Sequence, residues 1–120
     1  MRVELYVVTT EIAKNSKDCQ KCTLNAHCEQ CLKEEDERKQ QLEQLKVELC
    51  KKFGGLTVID NCEGYWTDNG QLIKDDVQIW RILSTDVITP KDIMPYAERL
   101  KSVCKQKVQL FTVADMPYYV

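Results

Sequence analysis

The sequence predicts an α+β domain of the ferredoxin-like class, with a four-stranded antiparallel sheet and two helices on one face. Segments of apolar period two alternate with two helical segments in the order strand, helix, strand, strand, helix, strand. An Asn-Gly turn joins the two middle strands. A cysteine-rich stretch between the first strand and the first helix predicts a zinc-stapled loop. All of residues 1–120 are expected to form one domain.

The first half of the chain predicts one strand and one long helix. The strand spans residues 2–9, where apolar side chains alternate. Residues 10–32 form the expected metal-binding insertion, and the helix follows over residues 34–53. Acidic residues crowd its first turn, which suits the positive end of the helix dipole, and Gly54-Gly55 is expected to end it. Its apolar residues recur at helical spacing: Leu42, Leu45, Leu49 and Phe53.

The second half predicts two strands, a helix and a last strand. A strand over residues 56–60, with a continuation to Trp66, turns back at Asn69-Gly70. After a return over residues 71–74, the next strand covers residues 77–84. Thr89-Pro90-Lys91-Asp92 predicts a capped helix start, and its apolar stripe runs to about Gln106. The last strand covers residues 108–113, and residues 114–120 are expected to form a tail.

These elements predict a core and an apolar face that the helices leave uncovered. Cys50 and Cys104 lie on apolar helix faces and are expected to be buried. The core between helices and sheet is expected to contain Leu45, Leu49, Val58, Ile79, Ile93 and Leu100. The uncovered face is expected to carry Tyr6, Val8, Ile59, Trp80, Ile82, Phe111 and Val113. Since that face is too apolar for water, we expect a homodimer through the sheet, or a cover formed by the tail or the cysteine loop.

Four cysteines in two C-x-x-C pairs predict a metal site. Cys19, Cys22, Cys28 and Cys31 fall within thirteen residues. Thiolates at this spacing converge on one tetrahedral ion, and zinc is the usual occupant of a four-sulfur site. Because four thiolates close the coordination sphere, the expected zinc, one per chain, is structural and not catalytic.

Other uses of these residues stay open at this point. An iron–sulfur cluster is the main rival, although the spacing does not match the common ferredoxin runs. A dithiol redox pair is another, since Lys21 lies beside Cys22. His27 is the single histidine and could replace one sulfur as a ligand. A nucleophilic triad would need this same histidine, which disfavours hydrolysis.

Composition bounds the environment and the partners. The net charge of −2 lacks the basic excess of a general nucleic-acid binder, although Lys14, Lys17, Lys21 and Lys33 surround the cysteines. No apolar run reaches 18 residues and the first residues do not resemble a signal peptide, so we expect a cytoplasmic protein without membrane contact. Seven cysteines, an odd number, argue against a disulfide framework.

The middle of the chain resembles a family of small ferredoxin-like proteins of bacteria and their phages. The similar residues are Phe53-Gly54-Gly55-Leu56-Thr57-Val58, Gly64-Tyr65-Trp66 and Gly70-Gln71-Leu72-Ile73-Lys74-Asp75-Asp76-Val77. They match an F-x-G-x-T-V, G-x-W, G-x-[LI]-x-x-[DE] pattern over about residues 50–113. The resemblance implies the fold and supplies no catalytic residue, and the cysteine loop is an addition to the pattern.

Three functions are compatible with these patterns. The first is a non-enzymatic, zinc-stapled binding or regulatory module whose polar loop contacts a protein or, through its lysines, a nucleic acid. The second is a small-molecule binder or enzyme with a pocket between the sheets of a dimer, lined by Tyr6, Trp80 and Phe111. The third is a thiol redox protein, for which metal-free and reactive thiols would be the sign.

Overall fold

The computed structural model describes residues 1–10 and 28–120, and it is an α+β domain. Within these residues one antiparallel five-stranded sheet has the order β2-β3-β1-β4-β5 and carries two helices. The α+β class predicted from the sequence is therefore confirmed. The elements are β1 (Arg2–Val8), α1 (Glu29–Phe53), β2 (Thr57–Asp68), β3 (Gln71–Leu83), α2 (Pro90–Val103), β4 (Leu110–Val113) and β5 (Met116–Tyr119).

The register of the central strand β1 with β3 and β4 shows which side chains of the sheet pack against the helices. Leu5 lies opposite Trp80 of β3 and Phe111 of β4. Residues paired directly across antiparallel strands point to the same face, so these three side chains share one layer. The layer packs against both helices and contains Val3, Leu5, Val7, Trp80, Ile82, Phe111 and Val113 beside Leu45, Leu49, Ile93, Ala97 and Leu100.

The predicted assignment of the two faces is therefore wrong for β3 and β4. Trp80, Ile82, Phe111 and Val113 were expected on the uncovered face, but all four are buried under the helices. Period two correctly predicts alternation within each strand. It cannot relate one strand to the next, because a register change of one residue exchanges the faces.

Helix α1 begins earlier than predicted. It starts at Glu29 with Cys28 as N-cap, five residues before the expected start at residue 34. Residues 29–33 contain no helix breaker, so the helix extends into the cysteine-rich stretch. Its end is as predicted: Gly54 has a φ of 89°, and its N–H donates to the carbonyl oxygen of Cys50.

Two predicted local signals are confirmed. At the start of α2, the Thr89 N–H donates to the Asp92 carboxylate at 2.9 Å, completing a capping box. Between β2 and β3, Asn69 and Gly70 have positive φ values, 50° and 79°, as a two-residue hairpin requires.

The β2–β3 hairpin is longer than predicted. Each strand is continuous, and β1 pairs with β3 only as far as Val8 and Val77. Residues 63–68 and 71–76 thus form a two-stranded ribbon beyond β1. Before it, Ile59 pairs with Ile79 and Cys62 pairs with Val77, so Asp60 and Asn61 together oppose Gln78. This β-bulge separates the ribbon from the packed part of the sheet.

The predicted tail is a strand, β5. It pairs with β4 through a turn at Ala114 and Asp115, both with positive φ. The Phe111 and Tyr118 rings stack with centroids 5.5 Å apart. The sequence signal was missing because Ala-Asp is an unusual hairpin turn and Pro117 disfavours an inner strand.

The predicted core is confirmed at four positions and wrong at two. Leu45, Leu49, Ile93 and Leu100 are buried. Val58 is 37% exposed, because β2 is an edge strand, and Ile79 lies on the opposite face beside Tyr6. Of the helix cysteines, Cys104 is buried as expected, whereas Cys50 is exposed. No helix in the described part of the chain is long and apolar enough to cross a membrane.

Candidate functional site

The structure describes two of the four predicted metal ligands. Cys28 is the N-cap of α1 and Cys31 lies buried in the first helical turn. Positions three apart on a helix lie on one side, so this C-x-x-C pair is brought together by the helix. Cys31 was expected in a loop, which is wrong. Cys19, Cys22 and His27 lie outside the described residues.

The four-cysteine metal site therefore stays a prediction. Within residues 1–10 and 28–120, no three His, Cys, Asp or Glu side chains come close enough to hold an ion. A four-cysteine site would need both of the ligands that the structure does not describe.

A cleft in the described part of the protein lies between the first half of α1 and the bulge of β2. Its volume of about 610 Å³ is within the usual range for small-molecule sites. One wall is the helix and the other is the inner side of the β2–β3 hairpin. The lining residues are Thr9, Glu35, Arg38, Lys39, Leu42, Glu43, Lys46, Asp60, Asn61, Cys62, Glu63, Asp76, Val77 and Gln78.

The β-bulge shapes the sheet wall of this cleft. Asn61 adopts a φ of 58°, a conformation that asparagine tolerates better than most residues. The Asp60 carboxylate accepts the Asn61 N–H at 2.8 Å and the side-chain amide of Gln78 at 3.3 Å. Gln78 in turn accepts the indole N–H of Trp80 at 3.1 Å. These bonds connect the cleft wall to a tryptophan of the core.

A second set of bonds fixes the end of β1 beside the cleft. The Thr10 hydroxyl donates to Asp75 at 2.5 Å and accepts the Asp76 N–H at 3.1 Å. The Thr9 N–H donates to the carbonyl oxygen of Asp76 at 2.8 Å. Because Thr10 and Asp75 are both buried, this connection holds β3 in place where β1 ends.

Most charged groups of the cleft are already paired. Glu35 pairs with Lys39 at 3.4 Å, and Glu43 pairs with Lys46 at 2.7 Å. A separate cluster joins Glu63 to Lys74 at 3.2 Å and to the Tyr65 hydroxyl at 2.7 Å. The hydrogen bond from Tyr65 and the contacts with Lys74 lower the pKa of Glu63, so this carboxylate stays ionised.

Three charged lining residues have no ion-pair partner. Within the described residues, Arg38, Asp60 and Asp76 make no salt bridge, although all three line the cleft. Arg38 is also buried, with 8% of its surface exposed. Among the described lining residues, one cation and two carboxylates therefore lie outside any ion pair.

The predicted pocket residues do not form this site. Trp80 and Phe111 are fully buried beneath the helices, and Tyr6 is on the other face of the sheet. A sequence signal for the actual cleft did exist. Arg38 continues the apolar stripe of Leu42, Leu45 and Leu49, so a charged residue occupies a position that helical spacing directs inward.

Comparison with known proteins finds likeness at the level of the fold. No protein-family model matches the chain, and no curated protein matches it. A phage SAM lyase in complex with S-methyl-5′-thioadenosine is similar with a TM-score of 0.57 and 14% identity, over 99% of this chain and 87% of that one. A phage SAM lyase in its apo state gives a TM-score of 0.48 and 12% identity, over 99% and 86% of the two chains. The first match shows a shared fold.

Proposed function

We propose that this protein is a lyase that binds S-adenosylmethionine in the cleft between α1 and the β2 bulge. The observation that carries the proposal is the cleft itself, which has the volume of a small-molecule site and unpaired charges. The fold shared with a SAM lyase whose structure contains S-methyl-5′-thioadenosine also supports it. The proposal that the bound S-adenosylmethionine is cleaved rests on the chemistry of this substrate.

A sulfonium substrate brings much of its own reactivity. When the bond between sulfur and the γ-carbon of the methionine part breaks, both electrons stay on sulfur and neutral S-methyl-5′-thioadenosine leaves. The substrate's own carboxylate oxygen bonds to the γ-carbon and closes a five-membered lactone. Charge and atoms balance without water or a protein base. An intramolecular attack of this kind mainly needs the substrate to be held in the reactive conformation.

The charge of the cleft suits a cationic ligand. Its described lining contains five carboxylates, Glu35, Glu43, Asp60, Glu63 and Asp76, against the three cations Arg38, Lys39 and Lys46. An excess of negative charge in a concave site raises the local concentration of cations. A sulfonium substrate with net positive charge would therefore be favoured over its neutral thioether product, which promotes product release.

Chromatography of S-adenosylmethionine incubated with the purified protein tests this function. We expect S-methyl-5′-thioadenosine and the lactone to appear in equal amounts, faster than without protein. Asp76→Asn should slow the reaction, whereas Asp115→Asn, which removes a carboxylate far from the cleft, should not. Unchanged substrate together with no binding of S-methyl-5′-thioadenosine would disprove the proposal.

A structural zinc held by Cys19, Cys22, Cys28 and Cys31 is a compatible second proposal. It is favoured by the position of Cys28 and Cys31, which the start of α1 brings to one side. In the non-enzymatic alternative, this stapled loop is the recognition surface for a protein partner, or for a nucleic acid through the nearby lysines. Cys50, Cys62 and Cys104 are unpaired thiols, which suits a reducing, cytoplasmic location.

Elemental analysis separates the zinc proposal from a redox function. We expect one zinc per chain, loss of the metal in Cys22→Ser, and full retention in Cys50→Ser, which alters an exposed cysteine of α1. The sheet should survive in both variants because its core lies elsewhere. Metal-free protein with four reactive thiols in residues 19–31 would favour the redox alternative.

We also propose that the domain belongs to the ferredoxin-like class with an added edge strand. The order of its elements from β1 to β4 supports that assignment. The resemblance of residues 50–113 to a small bacterial and phage family is consistent with it.

A further inference from the structure

We propose that Arg38 is the receptor for the α-carboxylate of an S-adenosyl amino acid, so that the cleft selects ligands that carry an amino-acid group. This inference rests on the proposed function, because it assigns the amino-acid end of the same ligand. It adds a specificity-determining residue that the likeness of fold does not supply.

The burial of Arg38 is the first argument. Only 8% of the residue is exposed, and within the described part of the chain its guanidinium makes no hydrogen bond and no ion pair. None of its nitrogens is among the buried side-chain atoms of the described residues that lack a hydrogen-bond partner, so the guanidinium opens onto the cleft, where it can pair with an anion. Since Arg38 lines the cleft, the missing partner has a place in which to bind.

The surroundings of Arg38 exclude the obvious internal partners. Glu35, one turn earlier on α1, pairs with Lys39, and Glu34 is 4.0 Å from Lys105. The buried thiol of Cys104 is near enough for the positive charge of Arg38 to oppose the rise in its pKa, yet that thiol stays protonated at neutral pH. Within the described residues, Arg38 therefore forms no ion pair with a carboxylate.

The geometry of a guanidinium selects the type of ligand. Its planar fork donates two parallel hydrogen bonds, which match a carboxylate or a phosphate oxygen pair. The other unpaired charges decide between these anions. Asp60 and Asp76 are carboxylates without cationic partners in the same cleft, and they would repel a phosphate. An α-amino acid supplies a carboxylate for Arg38 and an ammonium group for an aspartate.

Two inert ligands isolate this contact by calorimetry. S-adenosylhomocysteine and S-methyl-5′-thioadenosine are both neutral at sulfur and share the adenosine part, but only the first carries the amino-acid group. We expect the wild-type protein to bind S-adenosylhomocysteine more tightly. Arg38→Gln should lower the affinity for S-adenosylhomocysteine by about tenfold to a hundredfold and leave the affinity for S-methyl-5′-thioadenosine unchanged. Unchanged thioadenosine binding also reports that the variant is folded.

Two further variants separate geometry from charge. Arg38→Lys keeps the charge but loses the fork, so its affinity for S-adenosylhomocysteine should be intermediate. Lys51→Gln removes one exposed positive charge from the far end of the same helix and should change neither ligand.

The possible failures are distinct. If the wild-type protein binds both ligands equally, or if Arg38→Gln weakens both by the same factor, the carboxylate assignment is wrong and the proposed function stands. If Arg38→Gln does not fold, Arg38→Lys decides, because equal binding of S-adenosylhomocysteine by Arg38→Lys and the wild-type protein would contradict the assignment. Binding of neither ligand overturns both proposals.

Discussion

Cys104, at the end of α2, shows how burial controls the chemistry of a single side chain. It is 1% exposed, and burial raises the pKa of its thiol to about 11, against an ordinary value of 9.0. The nearby positive charge of Arg38 only partly opposes this rise. The thiol is therefore a small apolar core residue and not a nucleophile.

This raised pKa predicts a loss of stability in alkali. Below pH 9 the thiol is protonated in both states, so the contribution is fully present. Between about pH 9 and 11 the unfolded chain loses the proton and the folded protein keeps it, so the free energy of unfolding falls by up to about 3 kcal/mol. Denaturant titrations across this range should show a shallower decline for Cys104→Ala. Equal declines in both proteins would contradict the prediction.

Leu100 tests the core at the same scale. Its side chain is fully buried between α2 and the sheet, within the cluster around Leu5 and Phe111. Leu100→Ala should lower the free energy of unfolding by roughly 2–5 kcal/mol, because a cavity adds to the lost transfer free energy. Leu72→Ala, at a site 71% exposed on the ribbon, should cost less than about 0.5 kcal/mol. A loss below that value at Leu100 would place it outside the core.

At the scale of elements, interactions between residues close in the sequence fix the caps and turns, whereas interactions between distant segments fix the lengths of the strands. The capping box at Thr89 and Asp92 and the turn at Asn69 and Gly70 form where the sequence predicts them, because all their bonds join residues three or fewer apart. The length of β2 and β3 and the strand β5 depend on pairing with other segments. For these three strands the local sequence pattern was absent or broken, so the sequence did not predict their full extent.

The β4–β5 turn carries a correctable strain. Ala114 and Asp115 have φ values of 50° and 66°, and the left-handed region disfavours alanine. Ala114→Asn should raise the free energy of unfolding by about 0.5–1 kcal/mol, since asparagine is favoured in this turn. The Arg2–Asp115 ion pair is retained. Thr85→Asn, an exposed site without positive φ, is the control and should give no gain. A loss in Ala114→Asn would contradict this account of the turn.

At the scale of the whole molecule, the two sheet faces have different chemistry. The helix face is a continuous apolar core. The other face has a central ion pair, Glu4 with Arg81 at 2.9 Å, beside the half-buried Tyr6 and Ile79. A homodimer through this face stays a prediction, but it now rests on fewer apolar side chains than the sequence suggested.

Ile79→Asp tests that dimer. The substitution places an unpaired charge in the proposed interface, and sedimentation should show a shift toward monomer. Val47→Asp, on an exposed position of α1, should leave the mass unchanged. Ile82→Asp is unsuitable because Ile82 lies in the core and the variant should unfold. A wild-type protein that sediments as a monomer at tens of micromolar would rule out the dimer.

The sequence by itself determined the α+β class, the end of α1 at Gly54, the capping box of α2, the hairpin turn and the helix side of the core at Leu45, Leu49, Ile93 and Leu100. Each depends on residues within about one or two turns of one another, where propensity and periodicity act directly. Helical spacing also places the charged residue Arg38 on the apolar stripe of α1, but the sequence does not show that Arg38 lines a cleft.

Only the tertiary structure decided which face Trp80, Ile82, Phe111 and Val113 occupy, that residues 116–119 pair as a strand, and that the β2 bulge stands opposite Arg38. Register between strands is set by long-range packing, and a shift of one residue exchanges the faces without changing any local pattern. A cleft likewise arises from the distance between α1 and the hairpin, which residues far apart in the chain fix together. The candidate site therefore became visible only once the elements were packed.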